Sequence, residues 1–364
     1  MFDFVRLDWY TPIYYHIILI VVLITFLHTQ ALQINSRRNI AYITIMGALV
    51  FCFVVLYMGF RPISKVFVDM PGYAYFFERA QEGNPMDFDI DFGFFQFVNW
   101  SSKLMSVTFF FFVCALLYVL PLWTVSKRWY KKYSFYGFLF LITSFSFWTY
   151  GTNGIRNGIA TSLFLLALSY ANKKYILIVL LIVSCSFHKT MVLPTFAYIL
   201  TIFYNNTSSY LKGWLIAIIL SLLFGGFWVS FFANLGLNDQ RIESYLTNDV
   251  NEAFSNFGFR WDFLLYSATG MFAGWYFIIK RGFVDKFYHR LFNVYIISNT
   301  LWVLLIRANF SNRFAYLSWF MLGIIIIYPF LKHNFFKNQH AVIGRVLLIY
   351  FIFTYMMNVI LIKT

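Results

Sequence analysis

The chain has 364 residues, 61% of them apolar and only 12% charged, roughly half the charge of an ordinary soluble domain. That composition excludes a water-soluble globular enzyme and predicts an all-α integral membrane protein, one polytopic domain over residues 1–364 surrounded by membrane lipid. The net charge of +14 is then to be read loop by loop, as a report of sidedness rather than of a nucleic-acid partner.

Met1 to Pro12 carries Asp3, Arg6 and Asp8 and lacks the basic start and small-residue cleavage site of a signal peptide, so the first span is expected to stay in the mature protein. Apolar runs predict about twelve helices, at 13–32, 40–60, 104–123, 134–150, 157–171, 175–187, 190–204, 214–235, 262–279, 291–306, 314–331 and 346–362. A long segment, Arg61 to Lys103, separates the second and third, and another, Gly236 to Trp261, precedes the ninth. Loops of that length on a compact membrane domain are usually functional. Cys52, Cys114 and Cys185 all fall inside apolar runs, where they act as small hydrophobes.

One set of loops holds Arg37, Arg38, Lys127, Arg128, Lys131, Lys132, Lys173, Lys174, Lys212, Lys280, Arg281, Lys286, Arg290, Lys332, Lys337 and Arg345, with Asp285 as the one acid. The positive-inside rule makes these loops cytoplasmic and puts both termini and both long segments outside. The outer set collects thirteen acids and twelve cations, of which eight are arginine. Arginine is the better fork for phosphate, so the bias points to an anionic ligand outside, against the plainer alternative of ion pairs within loops.

The runs 175–187 and 157–171 reach only ~20 and ~22 Å, short of a hydrocarbon core of roughly 30 Å. Merging 175–204 into one helix through His188 and Pro194 would invert every later loop and send Lys280 to Arg290 outside, which the charge bias disfavours. The short runs therefore predict an outward-facing recess, with Arg156, His188, Lys189, Arg307 and Arg313 at its depth, where ionisable groups are costly and usually functional. Snorkelling of each side chain to the interface is the alternative. Gly154 and Gly158 flank Arg156 at a spacing that lets a neighbouring backbone approach.

Asp87, Asp89 and Asp91 alternate along one stretch and, if extended, present three carboxylates to one face. Arginine pairing, a divalent cation and a catalytic carboxylate are the three readings of that pattern. No HExxH, paired CxxC or P-loop occurs, so the common zinc and nucleotide motifs are absent, and no metal ligand or cofactor is assigned. His188 follows Phe187 at the end of a span and fits a general base, or else a buried and satisfied histidine.

Several of these segments resemble the EpsG-like polysaccharide polymerases, similar in role to the Wzy polymerases of O-antigen assembly. Arg156-Asn157-Gly158-Ile159-Ala160 resembles an Arg-Gln-x-Ile/Leu-Ala element, with Asn157 where glutamine is usual, and Phe187-His188-Lys189-Thr190 resembles Phe-His-x-Ser/Thr. Asp69 and Tyr73 resemble Asp-x-x-x-Tyr, Asp91-Phe92-Gly93-Phe94 resembles Glu-Pro-Gly-aromatic, and Arg313-Phe314-Ala315-Tyr316 resembles Arg-x-x-Tyr.

The resemblance implies a GT-C-like helical bundle in a bacterial inner membrane, working on its periplasmic side. It implies a glycosyltransferase that joins polyprenyl-pyrophosphate-linked oligosaccharides, donor and acceptor both, without a metal, and that has room for a chain-length regulator as partner. On that reading Arg156, Arg307 and Arg313, with Arg260 and Arg241 as loop clamps and Tyr73 and Tyr316 beside them, hold substrate and pyrophosphate. Asp91, Asp69 and His188 compete for the acceptor's proton. A lipid-linked oligosaccharide flippase and a membrane sugar O-acyltransferase are the rival classes. The first predicts internal repeats and midplane charges, the second essential polar groups on the cytoplasmic side.

Overall fold

A computed structural model describes residues 2, 4–85, 90–234, 258–308 and 311–361. Among the described residues every regular element is helical, as expected for a chain that must satisfy its backbone inside lipid. The described chain gathers into two compact units, one of Met1–Met191 with Phe330–Thr364 and one of Val192–Pro329.

In the first unit α1 (Leu7–Ala31) and α2 (Arg37–Gly59) are joined by a short turn. There the Ser36 side chain accepts from the Asn39 N–H and starts the second helix. The segment 61–103, read from sequence as a loop, holds two further helices, α3 (Met70–Gln81) and α4 (Phe92–Ser102). Next come α5 (Val107–Tyr130), capped by Ser106, then α6 (Ser134–Ile142), α7 (Phe147–Thr152), α8 (Ile155–Ser169) and α9 (Lys174–Phe187). Helix α5 packs on both α2 and α8, α8 on α9, and α4 on α3 and α9.

In the second unit α10 (Val192–Phe203), α11 (Thr207–Asn234), α12 (Trp261–Trp275), α13 (Lys286–Leu304) and α14 (Asn312–Lys332) follow. Helix α15 (Gln339–Tyr355) returns to the first unit and lies along α1. The second unit centres on α13, which packs against α10 and α11. Apolar contact alone gives little preference for a neighbour over lipid, and here buried polar groups link the helices. Trp214 donates to the Asn299 carbonyl oxygen at 2.8 Å, and the Asn299 amide donates to Ser267 at 3.1 Å and Ser318 at 2.9 Å.

Among the described residues, six helical runs are long and apolar enough to cross a membrane: Leu7–Ala31, Arg37–Gly59, Val107–Ile142, Thr207–Phe232, Asn312–Lys332 and Gln339–Ile360. Shorter apolar helices occupy Ile155–Ser169, Lys174–Phe187 and Lys189–Phe203. The protein is thus a multi-pass membrane protein. The expected runs recur in order with one change: 134–150 is two helices broken over 143–146. The cause is local. Thr143 spends its hydroxyl on the Leu139 carbonyl at 2.7 Å, within a Thr-Ser-Phe-Ser cluster that competes with helical bonding. Tyr14 donates to the Ile142 carbonyl at 2.9 Å across the break.

Candidate functional site

Helix α9 stops at His188, whose extended backbone (φ −153°, ψ 115°) leads into a single 3-10 turn, Lys189–Met191, before α10. The two short apolar runs are therefore separate, and the break leaves the Lys189 N–H without an intrahelical partner. Asp91 takes up that donor, with its Oδ1 accepting from the Lys189 N–H at 2.8 Å.

Asp91 precedes α4 in the left-handed region, φ 59° and ψ 36°, a conformation that aspartate tolerates better than most residues. Its side chain does not cap α4 and reaches sideways to α9 and α8 instead. Gly93 permits this. A methyl there would lie 2.9 Å from the Ser186 Cβ and 3.1 Å from the Ser186 carbonyl carbon, so only glycine lets the start of α4 rest on the end of α9.

Three more side chains meet the same carboxylate or its partners. Arg156, the second residue of α8, donates from Nη1 to Asp91 Oδ2 at 2.6 Å and from Nε to the Tyr73 hydroxyl at 3.1 Å. His188 Nδ1 lies 3.1 and 3.2 Å from the two Asp91 oxygens. The first turn of α8 is also the positive end of a helix dipole, which favours a carboxylate beside it. Tyr73, on α3, is buried edge-on against Phe94 at 5.4 Å between ring centres. Asp69 stands exposed before α3, within electrostatic reach of Tyr73 and Arg156.

Asp91 is 5% exposed. Burial pushes its pKa up, but the His188 hydrogen bond, the Arg156 guanidinium and the Lys189 N–H together hold it below the ordinary carboxylate value. It is therefore an anion with its lone pairs taken, and a poor base. A carboxylate can only accept, so His188 Nδ1 carries the proton and Nε2 is left as the acceptor. Among the described residues neither His188 Nε2 nor Arg156 Nη2 has a hydrogen-bond partner. The cluster can thus take a proton at one atom and offer guanidinium N–H to an anion at another.

The other sequence-derived arginines belong to the second unit. Arg260 grips both oxygens of Asp262, at 2.9 and 2.6 Å, and lies 3.6 Å over the Phe263 ring. Tyr316, in the first turns of α14, is hydrogen-bonded to Asn312 and lies in the field of Arg313 and Arg260. Exposed Arg307 donates to the Leu222 carbonyl at 3.3 Å, beside a kink in α11 where Phe224 leaves helical geometry (φ −129°, ψ 32°). Arg241 falls outside the described residues, as do Asp87 and Asp89. The described residues contain no group of three His, Cys, Asp or Glu side chains placed to hold a metal ion.

Sequence reading did not single out Gly93 as the contact that seats Asp91, nor the Lys189 N–H as its partner. The glycine inside Asp91-Phe92-Gly93-Phe94 was the available signal for the first, and the polar break at His188 for the second.

Helices and site together define a multi-pass, all-helical membrane protein built around a buried carboxylate, imidazole and guanidinium. The chain belongs to the EpsG family, whose profile matches residues 44–364. That membership points to a membrane protein of the polysaccharide-polymerase type. Searches of the curated proteins and of the solved structures match nothing to it.

Proposed function

We propose that this chain polymerises lipid-linked oligosaccharide repeat units on the outer face of a bacterial plasma membrane. The Asp91–His188 contact carries the reading, because an imidazole oriented by a saturated carboxylate is a proton acceptor with its free nitrogen fixed. A sugar hydroxyl of one lipid-linked unit attacks the anomeric carbon of a second. The new glycosidic C–O bond forms as the bond to the diphosphate breaks, and polyprenyl diphosphate leaves with the electron pair. The hydroxyl proton passes to His188 Nε2. Arg156, through its remaining Nη2 edge, supplies fixed positive charge for the departing diphosphate. Tyr73 and Asp69 support Arg156. The charge asymmetry of the loops supports the outward orientation. Two lipid-linked glycans are the partners, and a protein that sets chain length would act beside them.

The test is polymer length on a gel from cells carrying His188→Gln or Arg156→Lys, with protein level followed in parallel. Loss of a positioned base predicts a fall of about a hundredfold or more, and lysine cannot reproduce the fork that serves Tyr73, Asp91 and an anion together. Full-length polymer at normal yield from both variants would overturn the reading. Lipid-linked single repeats accumulating inside rather than outside a deletion strain would favour a flippase.

A further inference from the structure

Arg61 lies just past the C-terminus of α2 and is 2% exposed, yet among the described residues no carboxylate pairs with it. Its charge is met by carbonyl groups instead. Nη1 donates to the Met58 carbonyl at 2.6 Å and Nη2 to the Thr152 carbonyl at 3.0 Å. These carbonyls end α2 and α7, the negative poles of two helix dipoles. The rings of Phe67 and Phe111 flank the guanidinium at 5.5 and 5.4 Å, and Nε is buried with no partner. Gly151 lies against the Met58 thioether, whose Sδ and Cε would have to swing aside for a methyl there.

A buried charge is costly, and an apolar side chain could fill the same gap between two phenyl rings. What the guanidinium adds is a tether at one particular place. Thr152 ends α7, and α8 begins at Ile155, one residue before Arg156. The elbow between them is tight, since the N–H groups of Asn153 and Gly154 both return to the Thr149 carbonyl, at 2.8 and 3.0 Å. Gly158 then presses on the Tyr150 carbonyl, where a methyl would stand 2.6 Å away. We propose that Arg61 is a positioning residue that ties the end of α7 to the end of α2 and so sets the elbow from which Arg156 reaches Asp91. Its effect on polymer synthesis rests on the functional reading above, whereas the tether itself does not.

The experiment uses full-length protein in detergent micelles, with Cys52, Cys114 and Cys185 changed to alanine and Asn153→Cys introduced at the elbow as a maleimide probe. Arg61→Met keeps the bulk between the rings and loses the charge; Arg61→Lys keeps the charge but reaches one carbonyl. Labelling should accelerate about tenfold in the first and about threefold in the second as the elbow opens locally. Polymer yield per molecule of protein should fall at least about tenfold with methionine and recover in part with lysine. If the methionine protein does not accumulate, the lysine protein decides. Labelling at the parent rate overturns the proposal, as does fast labelling with undiminished polymer in a background where His188→Gln abolishes it. Fast labelling beside normal polymer from His188→Gln would leave the tether standing and remove the polymerase reading instead.

Discussion

Gly93 and Ser186 are in direct contact, the first on α4 and the second on α9, with no room for a methyl group between them. The Ser186 hydroxyl is already committed to the Val183 carbonyl at 2.8 Å, so a side chain at Gly93 has to push α4 away and carry Asp91 off His188 and Arg156. Gly93→Ala should cost about 1–3 kcal/mol of stability through overpacking and reduce polymer yield by roughly tenfold or more through misplacement. Ser186→Gly, which removes the opposing Cβ and hydroxyl, should restore part of both when combined with it. Thermal melting in detergent and polymer gels on the single and double variants check this, and an unaffected Gly93→Ala protein would detach the contact from the site.

Asp91 is held below its ordinary pKa, which fixes the sign of its pH dependence. A carboxylate with a depressed folded-state pKa contributes stability that is complete above its unfolded value and is lost as pH falls through the folded one. The unfolded reference is 3.8 and the folded value lies below it. The melting temperature of the natural protein should therefore exceed that of Asp91→Asn by its full margin above about pH 5 and lose that margin at more acid pH. Near neutral pH, Asp91→Asn leaves the Arg156 guanidinium without its anion, and breaking a buried pair in this way costs about 3–5 kcal/mol. A margin that stays constant from neutral to strongly acid pH would show that the carboxylate is not charged in the fold.

The order of the helices was legible because lipid imposes long apolar runs, and the break at His188 because a polar Phe-His-Lys-Thr stretch interrupts one. Arg156 and His188 were legible for the same reason, as ionisable groups at the ends of short spans. Helices α3 and α4 were not, since at 12 and 11 residues they are too short for a hydropathy signal and lie in a segment rich in charge. Among Asp87, Asp89 and Asp91 the spacing is uniform, so only the likeness of Asp91-Phe92-Gly93-Phe94 to a Glu-Pro-Gly-aromatic element separates the third from the others. Asp91 is distinguished by its left-handed backbone and by Gly93 two residues later, both of which depend on α9 being where it is. Arg61 looked like one more cation outside a helix end, because the more distant of the two carbonyls that hold it lies 91 residues away from it in the chain.

In the second unit, Asn299 spends its side chain on three helices at once, accepting from Trp214 and donating to Ser267 and Ser318. Ser267 also accepts from Trp319 at 2.7 Å. Asn299→Ala strands the Trp214 N–H in an apolar interior and opens a cavity, and should cost about 2–4 kcal/mol. A lower melting temperature and reduced accumulation of the protein should follow. Asn299→Asp, which keeps the acceptor and loses two donors, should be affected as strongly, because it adds a buried charge. A near-neutral Asn299→Ala melting curve would mean that the network is not what joins α11, α12, α13 and α14.

Tyr73 offers the narrowest test of how Arg156 is held. Its hydroxyl accepts from Arg156 Nε at 3.1 Å, while its ring, 4% exposed, sits against Phe94. Tyr73→Phe keeps the ring and removes one oxygen, so the protein should accumulate and melt close to normal while Arg156 loses one of its two fixed contacts. A hydrogen bond to a charged group contributes about 1.5–3 kcal/mol, and if that is expressed in the orientation of Arg156 the rate of polymerisation should fall roughly tenfold or more. Tyr73→Leu removes the aromatic packing as well and should lower stability in addition to yield. If Tyr73 instead bound sugar through an exposed face, Phe would be tolerated and Leu would weaken substrate use without a change in melting. The two variants measured side by side, polymer yield against melting temperature, therefore separate support of the guanidinium from contact with the glycan.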